Sequence, residues 1–91
     1  MPYIIKEDRK KYVNAINELS IKLSTVDNDF LTEHLTYIIC SIIKRQIDER
    51  GITYSLLQNL VGGVLTCSQL ELYRRFLIPY KNEAFKKNGD I

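Results

Sequence analysis

Apolar residues recur every three or four positions along most of this chain of 91 residues, which is the spacing of one face of an α-helix. In the first such segment the apolar positions are Tyr12, Ile16, Leu19 and Leu23, at steps of four, three and four. This spacing predicts an amphipathic helix over residues 6–24, with a polar side that faces solvent.

The second apolar segment predicts a helix over residues 29–50. Gly51 follows it, at the position where many helices end in the left-handed conformation. A surface helix needs an apolar arc of only about 100°, and the apolar residues of this helix cover a much wider one: Phe30, Leu31, Leu35, Ile38, Ile39, Ile42, Ile43 and Ile47. We therefore expect this helix to be central, or to pack against another subunit.

The third segment predicts a helix over residues 53–78 with Gly62–Gly63 in its middle. A pair of glycines inside a helix costs about 1–2 kcal/mol relative to alanine. A break or kink in the helix would explain the pair, and so would the close approach of a second backbone; we favour the break or kink. Pro79 suits the start of a new helix, so we expect a short helix or tail over residues 79–88.

The apolar residues 1–5 include Pro2 and suit an extended arm. No alternating run of strand length follows, so the sequence predicts an all-α fold. We expect residues 1–91 to form one domain, a small bundle of three main helices with a short C-terminal helix. A domain this short buries only about 60 % of its unfolded surface, so we also expect it to self-associate into a homo-oligomer.

Composition excludes several classes of protein. The chain is 45 % hydrophobic and 26 % charged, as in an ordinary globular protein, and its net charge of +2 is too small to indicate nucleic-acid binding by itself. No apolar run is long enough for a signal peptide or a membrane span. We expect a cytoplasmic protein that does not bind a membrane.

Few residues are suited to catalysis or metal binding. His34 is the only histidine, and Cys40 and Cys67 lie far apart in apolar stretches, where we expect two buried thiols. A nucleophile needs a base and an oxyanion hole, and the sequence shows no pattern that would supply them. We expect no enzymatic activity, no metal and no cofactor.

Charged and aromatic residues are concentrated in the stretch "LELYRRFLIPY". The candidate ligand or interface residues are Glu71, Tyr73, Arg74, Arg75 and Tyr80. Glu71 precedes Arg74 by three residues and Arg75 by four, which is the spacing of ion pairs on a helix surface. Arg74 shares a stripe with apolar residues and would need Glu71 as its partner, whereas Arg75 is turned away from Arg74 and can meet solvent, a second subunit or an anion. Tyrosine and arginine dominate binding hot spots. A solvated surface network is the simpler interpretation of the same residues.

Both ends of the chain resemble a family of short, uncharacterised proteins of bacteriophages and prophage-bearing bacteria. The resemblance rests on the opening "MPYI" and the closing "GVLTCSQLELYRR…PY…NGD", and the matching residues are Pro2, Tyr3, Gly63, Cys67, Leu70, Glu71, Tyr73, Arg74, Arg75, Pro79, Tyr80, Asn88, Gly89 and Asp90. Lys81 departs from the family, which often has an acidic residue there. The resemblance implies a phage origin and no established activity.

These observations favour a non-enzymatic binding or interaction protein, made during phage infection, that modulates a host factor or a host defence. One alternative is an oligomer that sequesters an anionic nucleotide signal of bacterial immunity, with Arg74, Arg75 and tyrosines on phosphate and base. A nucleic-acid-associated phage protein is a further alternative, less favoured because of the low net charge. Its basic candidates are Lys6, Arg9, Lys10, Lys11, Lys86 and Lys87.

Overall fold

The computed structural model describes residues 4–89, and helices are the only regular secondary structure in this part of the chain. Helix α1 spans Lys6–Leu23 and helix α2 spans Asn28–Arg50. A third, bent helix of 35 residues covers residues 54–88. The predicted all-α fold is confirmed, while residues 1–3 of the expected arm and the matched residue Asp90 lie outside the described residues.

The ends of the first two helices agree with the sequence to within one residue. Ile5, directly before α1, has extended backbone angles, and Glu7 and Asp8 lie in the first helical turn, where they favour the positive end of the helix dipole. Gly51 has a φ of 85°, and its N–H donates to the carbonyl of Ile47 at 2.9 Å. Helix α2 therefore ends where the sequence predicts, because only glycine adopts that conformation at low cost.

The third helix corrects the predicted division into residues 53–78 and 79–88. It begins after Thr53, whose hydroxyl oxygen accepts a hydrogen bond from the backbone N–H of Leu56 at 3.1 Å. It continues through Pro79 to Asn88, and Gly89 follows with a φ of 83°. The last α-helical segment, Ile78–Asn88, agrees with the predicted short helix and has the proline in its first turn, but it continues directly from the helical structure before it.

Two segments of this third helix are π-helical, with backbone hydrogen bonds five residues apart in place of four. The first is Gln58–Val64 and the second is Tyr73–Leu77. The second ends two residues before Pro79, which lacks an N–H and whose ring would clash with the carbonyl four residues earlier in an α-helix. The wider turn accommodates the proline without ending the helix.

Gly62 and Gly63 lie within the first π-helical segment and do not break the helix. A Cβ atom built on Gly62 would meet nothing within 4 Å, and one on Gly63 would meet only the carbonyl oxygen of Gln58 at 3.9 Å. Within the described part of the chain no other backbone approaches these glycines, so their surface is open.

No side chain among residues 4–89 is buried. The chain divides into two units, Met1–Ile42 and Ile43–Ile91, and neither has a buried residue in its described part. Cys40 and Cys67 are both exposed, so the prediction of two buried thiols is wrong for a single chain. The apolar pattern gives helices with apolar faces, but these faces are not covered, and a packed bundle stays a prediction.

Candidate functional site

Glu71 accepts hydrogen bonds from two arginines of its own helix, and we refer to Glu71, Arg74 and Arg75 as the Glu71 cluster. The Nη2 atom of Arg74 lies 2.8 Å from Oε1 of Glu71, and its Nε lies 3.4 Å from Oε2. The Nε atom of Arg75 donates to the same Oε1 atom at 2.5 Å. The glutamate side chain is only 19 % exposed, whereas those of Arg74 and Arg75 are 63 % and 56 % exposed.

Helical spacing explains why both arginines reach one carboxylate. Residues three and four positions after Glu71 flank it on the helix surface, one on each side. The surface pairs of Glu71 with Arg74 and with Arg75 that the spacing predicts are both present, and the Arg75 side chain is also exposed to solvent. Arg74 is also no more buried than Arg75, so the apolar stripe on which it falls does not bury its guanidinium.

Tyr73 is joined to a residue that the sequence did not single out as a contact. The ammonium of Lys81 donates to the Tyr73 hydroxyl at 3.3 Å and lies 5.2 Å from the centroid of its ring, within the range of a cation–π interaction. The two residues are eight positions apart, about two helical turns, which is the signal that could have predicted the contact. Tyr80, in contrast, is 74 % exposed and is not brought into the cluster.

A shallow, mostly apolar groove lies along the first π-helical segment of the same helix. The hydroxyl of Tyr54 accepts a hydrogen bond from Nε2 of Gln58 at 3.0 Å. This bond holds together two of the side chains that line the groove. The groove is lined by Tyr54, Leu57, Gln58, Val61, Gly62 and Gly63. The sequence drew attention to the glycines, but not to the groove that they help to line.

The described residues contain no arrangement suited to holding a metal: no group of three His, Cys, Asp or Glu side chains comes together between residues 4 and 89. In the same part of the chain, no helix is both long and apolar enough to cross a membrane.

The fold and the site define a small all-α protein with exposed apolar helix faces and a charged cluster on its third helix. The chain belongs to the family described as Domain of unknown function (DUF6899), whose model matches residues 1–91. No curated protein and no solved structure matches the chain. The membership agrees with the resemblance seen at the two ends, and the phage origin stays a prediction.

The shared carboxylate predicts redundancy between the two arginines. We expect Arg74→Ala and Arg75→Ala each to lower the free energy of unfolding by less than about 1 kcal/mol, because both side chains are largely exposed. The double variant should cost about 1–2 kcal/mol, more than the sum, because it removes both of these ion pairs from a half-buried carboxylate. Urea unfolding of the three variants gives the free energies of unfolding that test this expectation.

Lys44→Ala is the matched control, since it removes an exposed ion pair of 2.7 Å with Asp48 on another helix. We expect a loss of less than about 0.5 kcal/mol. Strictly additive losses in the arginine variants would contradict the shared role of Glu71.

Proposed function

We propose that the protein is a non-enzymatic interaction protein that works as a homo-oligomer, in which helices from several copies form a common core. One observation carries the proposal: no residue between 4 and 89 is buried. Large apolar side chains such as Ile16 and Phe76 are 57 % and 67 % exposed. Burial of apolar surface is the main favourable term in folding, so a chain with this pattern needs other chains to cover its apolar faces.

The Glu71 cluster supports a role in binding a further partner. Its arginines are exposed, and Tyr73 and Lys81 lie on the same helix with an ordered contact between them. Exposed arginine and tyrosine side chains are typical of protein interfaces. The partner we propose is a host protein, which the assembly would modulate during phage infection, as a host factor or as part of a defence.

Local charge favours an anionic ligand as the second candidate. Three cations, Arg74, Arg75 and Lys81, accompany the one carboxylate of Glu71 in this part of the helix. The guanidinium groups suit phosphate or carboxylate, and tyrosine rings can stack on a base. This is the observation that supports sequestration of an anionic nucleotide signal.

A nucleic-acid-associated role has less support. Several of its basic candidates form ion pairs with neighbouring carboxylates, which reduces the positive charge that they present. The pairs are Lys10 with Glu7, Lys11 with Asp8, and Lys86 with Glu83.

Sedimentation velocity on the purified chain at micromolar concentration tests the proposed assembly. We expect a mass that is a multiple of the chain mass of 10.6 kDa, because the apolar helix faces are covered only on association. A monomer that unfolds cooperatively would contradict the proposal, since such a chain would bury a core of its own.

A further inference from the structure

We propose that two copies of this chain pair through one face of α2, with the two helices antiparallel. This inference rests on the proposed self-association and names the surface that forms it. The face, which we call the α2 seam, consists of Leu31, Leu35, Ile38 and Ile42. At spacings of four, three and four residues these side chains lie on one side of the helix. Leu35 is 38 % and Ile42 is 52 % exposed, while Leu31 and Ile38 are half-buried; none of the four is fully buried, so the seam is open to a partner.

The order of the spacings makes the seam complementary to itself. Read from either end, the steps are four, three and four, so an antiparallel second copy meets it in register. Leu31 of one copy then faces Ile42 of the other, and Leu35 faces Ile38. A two-fold axis repeats both contacts, which gives the isologous interface of most homodimers.

The flanks of the seam also fit a second copy. The neighbouring positions along its edges are Thr32, His34, Ile39 and Ser41, and none is charged at pH 7 when the histidine is neutral. In paired helices, charges at such flanking positions select a different partner or oppose self-pairing. Because no charge lies at these four positions, apolar contact alone determines which surface pairs with the seam. A second copy offers the same apolar seam.

Charge at the start of α2 favours the antiparallel orientation. Asp27 immediately precedes the helix. A parallel pair would bring together the Asp27 carboxylates of both copies and the positive ends of both helix dipoles. The antiparallel pair separates them and aligns the dipoles favourably.

Ile38→Glu tests the seam by placing a carboxylate at its centre. We expect its dissociation constant for self-association to rise by roughly 100-fold or more, because both copies would bury a charge. Tyr37→Glu is the matched control. It adds the same charge at the next position, where the side chain is 74 % exposed and off the seam, so its mass by sedimentation should equal that of the wild type.

A spin label tests the orientation without altering the seam. In a Cys40→Ser, Cys67→Ser background, a label on Asp29→Cys should give a distance between copies of more than about 20 Å if α2 pairs antiparallel, since the rise is about 1.5 Å per residue. A distance of about 10 Å would indicate a parallel pair and overturn the proposal. This measurement also decides the question if Ile38→Glu fails to fold.

The outcomes separate the two proposals. A monomeric wild type contradicts the proposed function itself. An oligomeric wild type whose mass is unchanged by Ile38→Glu overturns only the α2 seam and leaves self-association standing.

Discussion

Dilution is expected to destabilise this protein strongly. If the apolar faces of its helices are covered only by other copies, folding is coupled to association, and each tenfold dilution of a dimer removes about 1.4 kcal/mol of apparent stability. Between 100 μM and 0.1 μM chain the loss should reach about 4 kcal/mol. Circular dichroism melts across this range should show a melting temperature that falls steadily with concentration.

Ile38→Glu and Tyr37→Glu extend this experiment. The first should melt at low temperature even at the highest concentration, whereas the second should follow the wild-type dependence. A melting temperature that stays constant over the thousandfold range, with a cooperative transition, would show that a single chain buries its own core. That result would contradict the coupling of folding to association.

Replacing both glycines of the first π-helical segment should stabilise the protein. Gly62→Ala and Gly63→Ala together should raise the free energy of unfolding by about 1–2 kcal/mol, because alanine loses less backbone entropy than glycine in a helix. The open space around the Cβ positions of both residues permits the change without a clash. Urea unfolding at a fixed chain concentration measures the effect.

Gly51→Ala is the matched control with the opposite expected sign. Its φ of 85° lies in the left-handed region, where a side chain costs about 1–2 kcal/mol. If the Gly62→Ala, Gly63→Ala variant instead loses stability and association together, a backbone from another copy packs against the glycines. That outcome would support the other explanation of the pair, the close approach of a second backbone.

Local signals in the sequence predicted the helices and the ends of the first two. Gly51 ends α2, and Glu7 and Asp8 lie in the first turn of α1. These features depend on a few consecutive residues and their intrinsic conformational preferences, so no knowledge of the rest of the chain is needed. At Pro79 the local signal marked the start of the last α-helical segment, Ile78–Asn88, but it did not predict the widened turn that joins this segment to the helix before it.

The ion pairs of the candidate site also follow from local spacing along the helix. The pairing of Glu71 with Arg74 follows from helical spacing. The second ion pair, from Arg75, follows from the same spacing, because Arg75 neighbours Glu71 at four residues. The contact between Lys81 and Tyr73 spans eight positions and depends on the side-chain conformations of both residues.

The residues within each segment were enough to predict an all-α chain with apolar faces, since helix formation and amphipathicity are local properties. The structure was needed to show that Gly62–Gly63 lie in a continuous, widened helix. It also decided that no side chain between residues 4 and 89 is buried. Hydrophobic periodicity specifies which face of a helix avoids water, but it does not specify which surface covers that face. Whether that surface belongs to the same chain or to another depends on how the helices are arranged in space.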